Sequence, residues 1–189
     1  MVEQYLGLIQ REAMRCRDIT SKLLDFSRGQ NSVRSMNDLI GVIEEVCSMI
    51  SLIKRLKDRK ILFSARNPCY AEFNPAEIKQ VILNIMTNAL ESMEVGGNLE
   101  IQVRENVDSV TLIFKDDGCG MTQEVKESLF DPFFTQRADG TGTGLGMSIT
   151  HRIIKDHGGE IEVESGGPGQ GSTIFVELPK KAQAQHKAA

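Results

Sequence analysis

Residues 80–89 read QVILNIMTNA, and this stretch predicts more of the fold than any other part of the chain. Its apolar residues recur with the period of a helix, and Ile78 and Met93 continue the same face on either side. The helix is expected to begin at Asn74 and Pro75, because Asn caps the free N–H groups of a first turn and Pro suits that turn. Such a broad apolar face indicates a core that other elements must complete.

The polar face of this helix carries the first candidate site. At about 100° per residue, the side chains that fall together opposite the apolar face are Gln80, Asn84, Asn88 and Glu91. The amide oxygens of two asparagines one turn apart are hard ligands suited to Mg²⁺. Asparagine is a middling helix former, so two of them in mid-helix need a reason. A solvated helix face would explain the same residues, and both interpretations stay open at this point.

Composition limits the class of protein. The 189 residues are 40% hydrophobic and 25% charged, which is typical of a globular domain with its own core. The net charge of −4 argues against a nucleic-acid partner, since phosphate backbones are met with an excess of Lys and Arg. No apolar run approaches the ~20 residues of a membrane span, and no Cys-x-x-Cys pair occurs. We therefore expect a cytoplasmic segment without membrane contact, which is compatible with a membrane-anchored parent protein.

Around the central helix, the chain from about Val33 to Pro179 predicts further helices and strands in blocks. The additional helices are expected at 39–56 and 145–156, and the strands at 61–64, 99–103, 110–114, 161–163 and 173–178. This order favours an α+β fold of two layers, in which a mixed and mainly antiparallel sheet is covered by helices on one face.

The first thirty residues are predicted to form one long helix. Apolar residues recur there as a nearly heptad stripe among charged ones, and the polar run at 29–32 ends it. One interpretation is a further core helix of the same domain. We favour half of a helical hairpin that dimerises, because the stripe is narrow and the break abrupt. The predicted units are therefore 1–30, a globular domain at 31–179, and a flexible tail at 180–189.

Asp116 stands at the end of a predicted strand, within the run DDGCG at 116–120. Strand alternation places its carboxylate on the side of Leu112 and Phe114, toward the apolar layer. A carboxylate there is costly unless it has a donor partner, and an adenine amino group is such a donor. An ordinary Asp-Gly turn is the alternative that these residues alone leave open.

Two further runs are candidates for a loop that covers a ligand. Residues 129–134, LFDPFF, form either a core cluster or a hydrophobic anchor for a mobile loop. Residues 140–146, GTGTGLG, open a helix, where backbone amides and the helix dipole favour phosphate. No Gly-Lys-Ser/Thr follows and no strand precedes, so this run is neither of the common phosphate-binding loops.

The order of these motifs resembles that of the catalytic domain of histidine protein kinases. The resemblance covers most of 72–179 and implies the ATPase superfamily shared by gyrase, Hsp90, MutL and histidine kinases, with a Bergerat-type α/β sandwich. The matching segments are 80–89 for the N box, 116–120 for the first glycine box, 130–134 for the F box, 142–147 for the second glycine box, and the endings 157–161 and 171–179.

This resemblance implies a Mg²⁺-ATP site and a phosphorelay function in two-component signal transduction. Asn88 would coordinate Mg²⁺, and Asn84 would lie beside the metal and phosphates. Asp116 would accept from the adenine amino group, with a water shared with Ser172. Arg137 would reach the terminal phosphate, and Asn84, Asn88 and Arg137 would be the catalytic residues. The other residues implied to bind nucleotide are Glu91, Gly118, Gly120, Met121, Phe134, Thr143, Gly144, Leu145 and Gly146.

Asn84 separates the mechanisms within this superfamily. The gyrase-like ATPases have a Glu at the matching position, where it acts as a general base for water, whereas an amide cannot take a proton in this way. Transfer to a histidine needs no activated water, because the acceptor is the nucleophile. Glu91 departs from the many relatives that have Lys there and is similar to the nitrogen-regulation type of sensor kinase. The resemblance thus favours a kinase over an ATP-driven conformational clamp or a nucleotide-binding pseudokinase.

The opening segment resembles the second helix of a dimerisation and phosphoacceptor hairpin. The three histidines, His151, His157 and His186, do not stand at the acceptor position. We therefore expect a chain that begins inside the hairpin and does not autophosphorylate alone. The implied partners are the hairpin itself, as a homodimer in the parent protein, and a response regulator.

Overall fold

The computed structural model describes Tyr5 and residues 33–65, 67–136 and 142–181. The helix predicted for the first thirty residues lies outside them apart from Tyr5, as does most of the predicted tail. In chain order the elements are β1 (Ser35–Asp38), α1 (Leu39–Ser51), a 3-10 turn (Lys54–Leu56), β2 (Lys60–Phe63), β3 (Tyr70–Phe73), α2 (Pro75–Ser92), β4 (Asn98–Glu105), β5 (Ser109–Asp116), α3 (Gln123–Ser128), α4 (Gly146–Asp156), β6 (Glu160–Glu164) and β7 (Ser172–Pro179).

The main sheet has five strands in the order β2-β4-β5-β7-β6. The β2–β4 pair is parallel and the other three pairs are antiparallel, which confirms the predicted mixed and mainly antiparallel sheet. Strands β1 and β3 form a separate antiparallel ribbon. This ribbon and the short helix α3 were absent from the sequence prediction, because SMND in β1 and QEVKES in α3 each hold a single apolar residue and YAEF in β3 does not alternate.

The sheet presents one apolar face to the helices. Helices α2 and α4 contact this face, and α1 packs against α2. Opposite residues in the sheet share a face, so Leu99, Asp116 and Ser172 lie together on the helix-covered side. Asp116 and Ser172 are buried there among the apolar residues of the core, as the alternation of β5 predicts. The two-layer α+β architecture is therefore confirmed.

The helix boundaries agree in part with the sequence. Helix α2 begins where predicted, and the Asn74 side chain accepts hydrogen bonds from the N–H groups of Ala76 and Glu77. Helix α1 was predicted to reach residue 56 but ends at Ser51, because Ile53 has extended backbone before the 3-10 turn. Because the helical spacing of apolar residues continues past Ser51, the sequence pattern does not reveal where the helix ends. None of the described helices is both long and apolar enough to span a membrane.

Candidate functional site

A cavity of about 800 Å³ opens between α2, the end of β5, the start of α4 and residues 119–136. Its volume is in the range of small-molecule sites. It brings together most of the residues predicted for nucleotide binding. Those that line it are Asn84, Asn88, Glu91, Asp116, Gly120, Met121, Phe134, Thr143, Gly144, Gly146 and Ser172.

Two of the predicted residues do not line the cavity, and a third cannot be placed relative to it. Gly118 packs against the end of α2, where an added Cβ would come within 2.2 Å of Ser92 Oγ. The Leu145 side chain is buried in the core at the start of α4, and its N–H donates to Thr143 Oγ1 at 3.4 Å. Arg137 lies outside the described residues.

Asp116 forms the buried polar end of the cavity. Its Oδ1 accepts from the N–H of Gly118 at 2.9 Å, and its side chain is 8% exposed. Burial raises the pKa of this carboxyl, while the N–H groups of Gly118 and Ser172 act in the opposite direction. A carboxylate oxygen in an apolar wall is suited to accept one directed hydrogen bond from a ligand.

The adjacent Asp117 points the other way and does different work. It accepts from the Asn98 backbone N–H and from Asn98 Nδ2, each at 2.8 Å, which joins the start of β4 to the end of β5. These bonds hold the pKa of the Asp117 carboxyl below its usual value. Of the two neighbouring carboxylates, Asp116 therefore lines the cavity and Asp117 forms a structural clasp between β4 and β5.

Asn84 and Asn88 stand one turn apart on the helical wall. The Nδ2 group of Asn84 donates to the carbonyl oxygen of Gly146 at 3.1 Å and to Thr150 Oγ1 at 3.3 Å, so α4 holds this side chain. Within the described part of the chain, no group hydrogen-bonds the Asn88 amide, which lines the cavity. Thr150 was not singled out in the sequence, where nothing marks a buried Thr on α4 as a contact of α2.

The donor set suits a Mg²⁺ bound together with phosphates. The described residues contain no cluster of three or more His, Cys, Asp or Glu side chains that could hold a metal by itself. The oxygens on the α2 wall of the cavity include those of the Asn84 and Asn88 side-chain amides. A hard cation held by one or two protein oxygens and completed by ligand phosphates fits this arrangement.

Two glycines let the backbone approach closely around the cavity. Gly144 has φ +65°, and an added Cβ would come within 2.3 Å of the Phe133 backbone. Phe133 itself has φ 68°, is 64% exposed, and donates its N–H to the Gly144 carbonyl at 2.9 Å. Gly120 is similarly pressed against the carbonyl of Gly167. A backbone hydrogen bond between Phe133 and Gly144 thus joins the F box to the second glycine box at the cavity rim.

Sequence reasoning missed part of the lining. Ile174 lies two residues beyond Ser172 on the same face of β7, so alternation could have identified it. Thr87 and Ser92 lie on α2 and Met147 on α4, so they belong to predicted helices, whereas the others belong to the short helix α3 and to loop segments without a periodic signal. The missed residues that line the cavity include Thr87, Ser92, Cys119, Val125, Leu129, Thr135, Gln136, Met147 and Ile174.

The two described histidines make structural contacts outside the cavity. His157 is buried, its Nδ1 donates to the Ile153 carbonyl at 2.8 Å, and its Nε2 accepts from the Asn74 N–H at 3.2 Å. This pairing requires a neutral ring, and burial lowers the pKa of His157. The ring of His151 packs on that of Phe130 with centroids 5.2 Å apart. Neither residue lines the cavity.

Comparison with known proteins identifies the same region. The family model described as histidine kinase-, DNA gyrase B- and HSP90-like ATPase matches residues 73–182. The signal transduction histidine-protein kinase AtoS of Escherichia coli (strain K12) is 33% identical over 185 residues. That match covers 96% of this chain and 30% of AtoS, so the chain spans under a third of this relative's length.

Solved structures match the fold. The catalytic domain of histidine kinase ThkA is 31% identical with a TM-score of 0.70, covering 79% of this chain and 97% of that one. Histidine kinase ThkA in complex with the response regulator protein TrrA is 27% identical with a TM-score of 0.75, covering 95% of this chain and 52% of that one.

Proposed function

The chain belongs to the histidine kinase-, DNA gyrase B- and HSP90-like ATPase family, and on that premise we propose that it binds Mg²⁺-ATP in the described cavity. We further propose that it transfers the γ-phosphoryl group to a histidine on a dimerisation hairpin. One observation carries the proposal: a single cavity has a buried carboxylate, Asp116, at one end and side-chain amides, Asn84 and Asn88, on its wall. The first suits an adenine amino group and the second suit Mg²⁺ and phosphate.

The same wall argues for phosphotransfer over hydrolysis. A hydrolase of this family type needs a base for water at position 84, and the Asn84 amide is instead a donor held by α4. When bound, ATP would supply the phosphoryl group, and Mg²⁺ would neutralise negative charge on that group. The chain's residues would then orient the nucleotide, and positioning together with charge neutralisation accounts for most of the catalysis in phosphoryl transfer.

The roles of individual residues follow from position. Asn88 would hold the metal, since its amide is unpaired within the described residues. Asp116 and Ser172 would recognise the base, while Met121 and Phe134 would pack around it. Gly120 and Gly144 would let backbone approach the nucleotide, and Arg137 would meet the terminal phosphate.

The proposed partners come from the relatives. One ThkA structure contains a response regulator, so we propose that the protein to which this chain belongs also passes its phosphoryl group to a response regulator. The acceptor hairpin would act as a homodimer, with residues 1–30 contributing to it and 31–179 forming the catalytic domain. A cytoplasmic setting follows from the proposed dependence on ATP.

Phosphotransfer is tested with ATP labelled on its γ-phosphate. The chain is mixed with separately expressed hairpins that carry an acceptor histidine, taken from the kinases it resembles. Label is expected on a hairpin and not on this chain, in a bond that acid breaks and alkali spares. The Asn88→Ala variant should transfer no label, whereas Gln80→Ala, on the same helix but outside the cavity, should transfer normally. Multiple-turnover release of phosphate without any labelled hairpin would instead favour a hydrolase.

A further inference from the structure

The Asn84 side chain has a defined orientation because of what α4 offers it. A primary amide has two N–H donors at one end and a carbonyl acceptor at the other. Both donors of Asn84 are directed at α4, one to the Gly146 carbonyl and one to Thr150 Oγ1. A backbone carbonyl cannot donate, so the group facing it must be the NH₂ end. The remaining pole of the amide, Oδ1, is not hydrogen-bonded by any described residue.

This orientation decides the sign of the dipole that Asn84 can present to a ligand. Asn84 lines the cavity, and with its NH₂ end held by α4 it has its carbonyl oxygen left for a cation. A flipped amide would present N–H donors and a partial positive charge to the same place, which would repel Mg²⁺. One acceptor alone leaves one N–H unsatisfied at a partly buried site, whereas two acceptors satisfy both donors.

We propose that Thr150 is a positioning residue for Mg²⁺-nucleotide binding, acting through Asn84. Its side chain is fully buried and does not line the cavity, so it would not touch the ligand. Its hydroxyl supplies the second acceptor that fixes the Asn84 amide with the oxygen outward. The inference rests on the proposed Mg²⁺-ATP function and adds the residue that orients the Asn84 side chain toward the metal.

A second consequence is a link between the two walls. Gly146 is the first residue of α4 and the last of the glycine-rich run at 140–146, and Asn84 belongs to α2. The amide therefore ties the start of α4, proposed to face phosphate, to the helix proposed to face the metal.

The test is a pair of substitutions at the same position. Thr150→Val removes the hydroxyl at nearly constant volume, whereas Thr150→Ser keeps the hydroxyl and removes a buried methyl group. Nucleotide affinity is measured in full-chain protein by titration with ADP, once with Mg²⁺ and once with EDTA, alongside thermal unfolding.

We expect Thr150→Val to weaken Mg²⁺-ADP binding about fivefold, the effect of one hydrogen bond, while binding in EDTA stays unchanged. Thr150→Ser should lower the unfolding temperature through the lost methyl but keep the Mg²⁺ dependence of the wild type. If Thr150 had a purely structural role, the Mg²⁺ dependence of binding would instead change most in the variant with the lower unfolding temperature. In an Asn84→Ala background, Thr150→Val should have no further effect on Mg²⁺-ADP affinity.

The results that would overturn the inference are distinct from those that would overturn the proposed function. Equal loss with and without Mg²⁺, or no loss in Thr150→Val, contradicts the positioning role while leaving the Mg²⁺-ATP site intact. A wild-type chain whose nucleotide affinity does not respond to Mg²⁺ would contradict the proposed function, and this inference with it. The side-chain amide resonances of Asn84 give a check without ligand: Thr150→Val should expose one of the two amide protons to faster exchange, and unchanged exchange would count against the inference.

Discussion

The two ends of the cavity are built in different ways. The Asp116 end rests on sheet register, which pairs Asp116 with Ser172 across β5 and β7, and its carboxylate already accepts a backbone N–H. The asparagine end rests on the packing of α2 against α4, with one amide held and the other unpaired among the described residues. The carboxylate of the first end has its hydrogen-bond partner before a ligand arrives, and under the proposed function a bound cation would complete the second end. Binding of the base and binding of the metal should therefore be separable.

The largest expected effect is at the Asp116 end. Asp116→Asn keeps an oxygen for the Gly118 N–H but places N–H donors where the adenine amino group would donate. We expect about a hundredfold loss of ADP affinity, equal with Mg²⁺ and with EDTA, since a donor would face a donor in a buried site. Titration calorimetry measures both conditions.

The matched control for this variant is its neighbour. Asp117→Asn disturbs the clasp to Asn98 outside the cavity and should leave ADP affinity unchanged. The raised pKa of Asp116 means that its ionisation opposes folding, so the stability of Asp116→Asn at neutral pH should not fall. Loss of affinity accompanied by unfolding would contradict the assignment.

The next effect concerns the rim that joins the two ends. Gly144→Ala combines an unfavourable positive φ with an added Cβ against the Phe133 backbone, and should lower the free energy of unfolding by about 2 kcal/mol. Gly169→Ala has a similar φ of +78° with nothing within 4 Å, so strain alone should cost about 1 kcal/mol. Urea unfolding of both variants measures the difference. Equal losses would mean that the close approach at Gly144 contributes nothing.

A smaller effect is expected at the asparagine end. Asn88→Ala should reduce ADP affinity about tenfold in Mg²⁺ and leave it unchanged in EDTA, since a metal ligand acts only when the metal is present. Gln80→Ala is the control on the same helix. An Asn88→Ala variant that loses affinity equally in EDTA would show that the two ends are not separable.

The smallest expected effect is a pH dependence of stability that comes from His157. This residue joins the end of α4 to the start of α2, the two helices that form the asparagine end. Its pKa is lowered in the folded state, so the unfolded chain binds the extra proton more readily. Stability is therefore expected to be full above about pH 6.5 and to fall as the pH drops below that value. Denaturant midpoints between pH 7.5 and 5.5 measure this slope. His157→Gln should flatten it, and an unchanged slope in that variant would contradict this origin of the pH dependence.

Much of the difference between the two ends of the cavity was predictable from sequence, for physical reasons that differ between the Asp116 end and the asparagine end. Period-two alternation along β5 placed Asp116 on the buried side, and the 3.6-residue period placed Asn84 and Asn88 on one face of α2. The contact between Asn84 and Thr150 was not predictable, since it depends on how two helices cross. Nor was the reason for Gly118, whose missing side chain makes room for Ser92 at the end of α2. The ribbon β1–β3 gave no signal because β1 has a single apolar residue and β3 has no period-two alternation.

The direct test of two separable ends in one cavity is a crystal structure of the chain with a non-hydrolysable ATP analogue and Mn²⁺ in place of Mg²⁺. We predict the adenine amino group against the Asp116 carboxylate and an anomalous manganese peak beside the Asn88 amide oxygen. A nucleotide bound in the opposite direction, or manganese away from Asn84 and Asn88, would contradict it.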